Sequence, residues 1–131
     1  MRVLFISDFT LEQRQGGAQL SNKLLIDKGR ELGLDINEHH HNSSVTDFLS
    51  SYDLVINSNL EAISKISPEK LPFILKMPNS IRLEHDSCSY LHDDTRLELF
   101  SKSKKNFFLS NYHYNYFKNL YGDYFHNVEI V

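Results

Sequence analysis

The chain has 131 residues, enough for one domain around one core, and its 40% apolar and 24% charged residues are ordinary for a soluble globular protein. A formal charge of -3 excludes the basic character of a typical nucleic-acid-binding domain. The single cysteine, Cys88, excludes an intrachain disulfide, and no apolar run approaches the roughly 20 residues that span a bilayer. We therefore expect one cytoplasmic domain, 1–131, with no transmembrane segment and no nucleic-acid partner; a peripheral membrane contact stays open.

Six predicted strands alternate with amphipathic segments along the chain. The first, RVLFIS, is a continuous apolar run, which is typical of a strand buried on both faces of a parallel sheet. The second is weakly apolar, as expected near a sheet edge. The strands are predicted at 2–7, 35–41, 53–58, 80–86, 106–110 and 128–131, and the helices at 18–32, 45–50, 60–66, 95–101 and 112–121, with a helical turn at 71–77.

The first predicted helix, 18–32, carries a seven-residue repeat of small and apolar residues, which predicts the side that faces the sheet. Gly29 has no side chain where the helix would lie close against the sheet, and Gly33 is the left-handed residue expected just beyond a helix. The predicted inward side comprises Ala18, Leu25 and Leu32, with Leu24 and Gly29 beside them.

Strands separated by helical segments indicate βαβ units with right-handed crossovers. The predicted fold class is therefore α/β: a Rossmann-like, doubly wound, mostly parallel sheet of about six strands with helices on both faces. In such a sheet, ligands bind at the carboxyl ends of the strands, where the strand order reverses. The loops expected to share that rim are 8–17, 57–61, 85–89 and 110–113.

Gly16-Gly17 opens the first predicted helix. Two glycines let the backbone approach a ligand, and the free N–H groups of a helix start favour an anion such as a phosphate. A structural role, in a tight turn that leads into the helix, explains the same two glycines equally well. The pair belongs neither to a dinucleotide fingerprint nor to a P-loop, because the spacing and the lysine that these motifs require are missing.

His85-Asp86 lies at the end of the predicted fourth strand, from which a side chain reaches the crevice. An imidazole there can contact a phosphate or a sugar hydroxyl, or act as a general base; a hydrogen-bonded polar strand end is the alternative. His39-His40-His41 is a weaker candidate for metal binding. Neighbouring side chains of a strand point to opposite faces, so at most two of the three histidines could bind the same metal ion. We therefore predict no metal and no cofactor.

The carboxy-terminal part of the chain is rich in aromatic residues. They could stack on sugars or bases, or form a partner interface. The spacing of Tyr112, Tyr116 and Leu120, or of Tyr116, Leu120 and Tyr124, instead favours one helix face packed on the sheet. The cluster comprises Tyr112, His113, Tyr114, Tyr116, Phe117, Tyr121, Tyr124 and Phe125.

Taken in order, these motifs resemble the amino-terminal domain of retaining nucleotide-sugar glycosyltransferases that have two Rossmann-like domains, the B-type (GT-B) fold. RVLFIS followed by a polar loop and GGA resembles the opening of that domain, and DLVINSN and RLEHD resemble its third strand and the strand that ends in His-Asp. FFLSNYHYNYFKNLYG and NVEIV resemble its fifth strand, next helix and sixth strand. The resemblance covers essentially the whole chain.

The resemblance implies a hexosyl transfer from a nucleotide sugar to a sugar or glycan acceptor. Gly16 and Gly17 would approach the donor diphosphate. His85, with Asp86 beside it, would face the transferred sugar or its phosphate as the catalytic pair. The implied acceptor-binding residues are Asn57, Asn59, Ser110, Tyr112 and His113.

The resemblance ends at Val131, where the family's interdomain linker begins. The family's carboxy-terminal domain grips the nucleotide sugar, so we expect the 131 residues alone to be inactive. A carboxy-terminal glycosyltransferase domain or partner subunit is the implied partner.

Three other functions are compatible with parts of the sequence pattern. A phosphoacceptor receiver domain is disfavoured, because segment 57–59 and Ser110-Asn111 stand where it needs an aspartate and a lysine. A flavodoxin-like or other small phosphate-binding module stays open, since Gly16-Gly17 would suit many phosphates. A non-catalytic interaction domain also stays open, provided that the aromatic residues of the last helix are exposed.

Overall fold

The computed structural model describes residues 1–7, 16–39, 52–58, 79–83, 85, 102–122 and 126–130. Each helix and strand in these ranges coincides with a predicted one and differs by at most three residues at either end. The predicted segments 45–50, 60–66, 71–77 and 95–101 lie outside the described residues. The strands are β1 (Arg2–Ile6), β2 (Asp35–His39), β3 (Leu54–Ser58), β4 (Ser80–Leu83), β5 (Lys105–Phe108) and β6 (Val128–Ile130), and the helices are α1 (Gly17–Glu31) and α2 (Asn111–Tyr121).

The six strands form one sheet in the order β2-β1-β3-β4-β5-β6, and every pairing between neighbours is parallel. The predicted α/β, Rossmann-like sheet is therefore confirmed, with β2 at an edge. From β1 the chain first moves outward to β2, then returns to the other side of β1 to form β3. The strand order therefore reverses between β1 and β3, the position at which ligands bind in doubly wound sheets.

The two helices lie on opposite faces of this sheet. Ile26 of α1 packs against Val3, Phe5 and Ile36, which the strand register assigns to one face. Phe117 of α2 packs against the other face of the sheet. The connections from β1 to β2 and from β5 to β6 run in opposite directions across the sheet, so right-handed crossovers require this arrangement.

Strand β1 is the centre of the core. Its side chains from Val3 to Ile6 are at most 2% exposed, so it is buried on both faces, as its continuous apolar run predicted. Full burial of one such side chain contributes roughly 1.5–3 kcal/mol. Among the described residues, no helix has the length and apolar character needed to cross a bilayer.

The predicted inward side of α1 is wrong. Leu24, Leu25 and Leu32 are 62%, 48% and 72% exposed. The helix is rotated because two polar side chains near its start are buried, where they form hydrogen bonds or close contacts. Near its end, a glycine lies close against the neighbouring strand. The residues that α1 buries are Gln19, Asn22, Ile26 and Gly29.

Both predictions about glycines in this region are confirmed. A Cβ at Gly29 would lie 2.5 Å from Cδ1 of Ile36, so the missing side chain allows α1 to approach β2. Gly33 has φ +91° and its N–H donates to the carbonyl of Arg30, which ends the helix in a left-handed turn.

Helix α2 begins at a side-chain cap and ends at a glycine. The Ser110 hydroxyl accepts a hydrogen bond from the His113 N–H at 3.0 Å, and Gly122 has φ +73°. The predicted inward face of Tyr112, Tyr116 and Leu120 is wrong, because Tyr112 is 82% and Leu120 47% exposed. The buried residue is Phe117, whose ring contacts those of Phe108, His113, Tyr116 and Tyr121.

Candidate functional site

Three side chains from three elements meet at the carboxyl edge of the sheet. The Ser58 hydroxyl, at the end of β3, donates to Oδ1 of Asn22 in α1 at 3.1 Å. Nε2 of His85, which follows β4, lies 3.1 Å from the same oxygen. Asn22 and Ser58 are buried and His85 is half-buried. We call these three residues the Asn22 cluster; it lies beside the reversal of strand order between β1 and β3.

The chemistry of the shared oxygen sets the state of the histidine ring. An amide Oδ1 accepts hydrogen bonds and cannot donate them. Nε2 of His85 therefore carries a proton, and in the neutral ring Nδ1 is the acceptor atom. Asn22 thus fixes both the tautomer and the direction of the imidazole.

The start of α1 lies at the same edge. Gly16 is the N-cap residue, with extended backbone (φ −140°, ψ 169°), and it has no side chain to cap the first turn. The first turn also holds no acidic residue, so its N–H groups and the helix dipole present positive potential. Asn22 lies five residues beyond Gly17, about 7.5 Å along the helix axis. An anion at the helix start would therefore lie within reach of ligand groups held by the Asn22 cluster.

The side chain of Gln19 lies beside the N-cap glycine. This side chain is buried, and a Cβ at Gly16 would fall on its Oε1. At Gly17, by contrast, an added Cβ meets no atom within 4 Å. A side chain at Gly16 would require a shift of the flexible end of Gln19, whereas the space around Gly17 is open.

Comparison with known proteins adds no family. No protein-family model matches the chain. No curated protein matches it significantly. The geometry at the carboxyl edge and the motif resemblance are therefore the grounds for assigning a function.

The residues predicted after β5 have structural tasks as well. Ser110 caps α2, and Nδ1 of His113 accepts a hydrogen bond from the Leu109 N–H at 3.2 Å. The His113 ring also packs on Phe108, with ring centroids 5.3 Å apart. Tyr112 points to solvent. These residues lie at the carboxyl end of β5, two strands and about 10 Å from β3.

Asn57 lies below the rim rather than on it. It is fully buried, and the register places it on the α2 face of the sheet, beside Arg82, which pairs in turn with Asn106. All three side chains are 0% exposed, so a polar row crosses the middle of the sheet. The Asn106 amide donates to the His126 carbonyl at 2.7 Å. Among the described residues, neither amide atom of Asn57 has a hydrogen-bond partner.

Asn57→Leu should therefore stabilise the fold. A buried amide without a partner loses its hydrogen bonds to water on folding, which costs about 1–3 kcal/mol, and leucine has similar size. We expect the free energy of unfolding, measured with urea, to rise by about 1 kcal/mol or more. Asn57→Ala is the control and should destabilise because it leaves a cavity. Destabilisation by leucine as large as that by alanine would contradict this reading of the site.

Two predicted site residues, Asp86 and Asn59, lie outside the described residues. Within the described ranges, no three His, Cys, Asp or Glu side chains gather as a metal site. Sequence reasoning missed Gln19, Asn22 and Ser58, although two polar residues three positions apart, followed by Ile26 and Gly29 at helical spacing, could have indicated a partly polar inner face. Arg82, in the middle of the predicted fourth strand, could equally have indicated the buried polar row.

Proposed function

We propose that this domain is the amino-terminal half of a cytoplasmic nucleotide-sugar glycosyltransferase, where it binds the acceptor and part of the donor phosphate. The observation that carries the proposal is the Asn22 cluster, held beside the start of α1 at the reversal of strand order. The motif resemblance supports the same function.

The side chains at this edge suit a sugar. An amide, a hydroxyl and an imidazole are neutral groups that donate and accept hydrogen bonds, as sugar hydroxyls do. The first turn of α1, whose N-cap Gly16 has no side chain to cap it, suits a phosphate. A nucleotide sugar carries both kinds of group on adjacent atoms, so a single ligand would satisfy both parts of the site.

The roles follow from this match. Backbone N–H groups at Gly16 and Gly17 would stabilise the diphosphate as the glycosidic bond breaks and negative charge develops on it. His85, oriented by Asn22, would contact the transferred sugar or its phosphate, with Asp86 beside it. On the acceptor side, Ser110, Tyr112, His113 and Asn59 would line the cleft, with Asn57 supporting them from below. A carboxy-terminal domain or partner subunit would supply the rest of the donor site.

Calorimetric titration with nucleotide sugars, free sugars and FMN tests the proposal. We expect saturable binding of a nucleotide sugar, weakened about tenfold by His85→Ala, because loss of one hydrogen bond to a charged ligand costs about 1.5 kcal/mol. His126→Ala is the matched control and should bind normally, because His126 is exposed and precedes β6 at the opposite edge. Absence of nucleotide-sugar binding would contradict the proposal.

One observation favours a second candidate, a flavodoxin-like phosphate-binding module. The order β2-β1-β3-β4-β5 is the strand order of that fold, with its ligand at the β1/β3 reversal. This candidate predicts FMN binding in the same titration, and no binding of nucleotide sugars or free sugars.

A further inference from the structure

Helix α2 carries a row of large side chains that the core covers only in part. Tyr112, Tyr116 and Leu120 are spaced four residues apart and therefore lie on one side of the helix. Tyr112 is 82% exposed, Leu120 47% exposed, and Tyr116 half-buried. We call this row the tyrosine row. An isolated exposed apolar residue needs no explanation, but three in register form a surface.

The tyrosine row is separate from the side of α2 that packs on the sheet. Phe117 fills that side, with Tyr114 and Tyr121 at its flanks; the Phe117 and Tyr121 ring centroids are 5.9 Å apart. Lys118, the single cationic side chain of α2 apart from histidine, lies over the Tyr114 ring at 6.0 Å. The core therefore leaves Tyr112 and Leu120 exposed, while Tyr116 also contacts Phe117.

The neighbouring strip of the helix surface consists of side-chain amides. Asn111, Asn115 and Asn119 are exposed and also spaced four residues apart, next to the tyrosine row. No Asp or Glu occurs anywhere in α2. The outer surface of the helix thus combines flat aromatic rings with groups that both donate and accept hydrogen bonds, and it carries almost no charge.

This composition matches a neutral oligosaccharide. The apolar faces of sugar rings pack on tyrosine rings, while amides can bind two neighbouring hydroxyls at once. An anionic lipid surface or nucleic acid would instead favour rows of Lys and Arg. From Tyr112 to Leu120 the row extends about 12 Å along the helix axis, which is longer than one sugar ring.

The position of the row relates it to the site. Helix α2 starts at the carboxyl end of β5, which neighbours β4 and its His85, and runs from there toward the opposite edge. Tyr112 is therefore the member of the row closest to the cleft. We propose that the tyrosine row and its asparagine strip bind the body of an extended, neutral oligosaccharide acceptor whose end lies at the carboxyl edge. This inference rests on the proposed function, which it narrows from any sugar acceptor to an oligosaccharide.

Chain-length dependence of binding tests this inference. The probes are neutral oligosaccharides of glucose, mannose, galactose or N-acetylglucosamine, from one to six units, titrated into the whole chain. We expect affinity to rise with length up to three units or more. Tyr112→Ala should lower the affinity for the longer probes about tenfold and remove the length dependence, while Tyr112→Phe, which keeps the ring, should retain it.

Leu24→Ala is the matched control, because Leu24 is a comparably exposed apolar residue on the other helix; it should change nothing. Any of three results would overturn the inference: an affinity that does not depend on oligosaccharide length, an unchanged affinity in Tyr112→Ala, or no binding of any probe. So would Tyr112-dependent sedimentation with phosphatidylserine vesicles or Tyr112-dependent dimerisation in place of sugar binding. The proposed function fails separately, if oligosaccharides bind through Tyr112 but no nucleotide sugar binds at the His85 side.

Discussion

Asn22→Ala is expected to lower the free energy of unfolding by about 1–3 kcal/mol and to weaken nucleotide-sugar binding about tenfold or more. The substitution removes the oxygen that accepts from Ser58 and contacts His85, both at 3.1 Å. Ser58 then keeps a buried hydroxyl without this acceptor, and the imidazole loses the contact that fixes its direction. Urea unfolding measures the first effect and calorimetry the second.

Asn22→Asp separates hydrogen bonding from charge. A carboxylate oxygen also accepts hydrogen bonds, so the links to Ser58 and His85 should persist and the protein should fold. The added negative charge lies about 7.5 Å from the start of α1, so a diphosphate should bind less well while a neutral sugar should bind normally. Wild-type nucleotide-sugar binding by Asn22→Ala would contradict the role assigned to the Asn22 cluster.

Phe117→Ala is expected to have the largest effect on stability, about 3–5 kcal/mol. Phe117 is fully buried, and its ring lies 5.6 Å from that of Phe108 and 5.4 Å from that of His113. Small domains have total stabilities of about 5–15 kcal/mol, so this loss is a large fraction of the whole. The midpoint of denaturant unfolding should fall correspondingly.

Leu120→Ala is the matched control on the same helix. Its side chain is half exposed and belongs to the tyrosine row, so we expect a loss below about 1 kcal/mol. The four-residue spacing of Tyr112, Tyr116 and Leu120 in the sequence favours the reverse ranking, with Leu120 in the core. Equal losses for the two variants would show that α2 is rotated relative to its orientation in the structure.

The strands were predictable because each carries its own pattern. The run RVLFIS indicates burial on both faces, and the weakly apolar second strand indicates an edge; both are confirmed. Gly33 and Gly122 mark helix ends through backbone freedom, which is also a local property. The order of the strands is not local, because it depends on which connections cross over which strands.

The rotation of both helices was predicted wrongly, for one physical reason. The apolar repeat in α1 and the aromatic repeat in α2 were assigned to the core because burial of large apolar groups is the strongest average tendency. In α1, however, Asn22 faces inward, since Ser58 and His85 provide hydrogen bonds there. Such partners come from distant segments, so the spacing of polar residues in the helix can indicate a polar inner face but cannot identify what pairs with it.

The candidate site was predictable to the level of loops. Parallel topology brings the ends of β1, β3 and β4 to one edge, and the contacts of Asn22 with Ser58 and His85 join α1 to the ends of β3 and β4. The burial of each side chain at this site was not predictable from the sequence. Asn57 differs from Ser58 by one position, yet alternation turns it to the other face of the sheet, where it is fully buried.

Amide chemical-shift mapping during titration with a nucleotide sugar tests the central claim most directly, because it locates the ligand without relying on any variant. The amides expected to shift are those of Gly16, Gly17, Asn22, Ser58 and His85. Shifts confined to the opposite edge of the sheet, near Arg2, Asp53 and Asn79, or no shifts at all, would contradict a ligand site at the carboxyl edge.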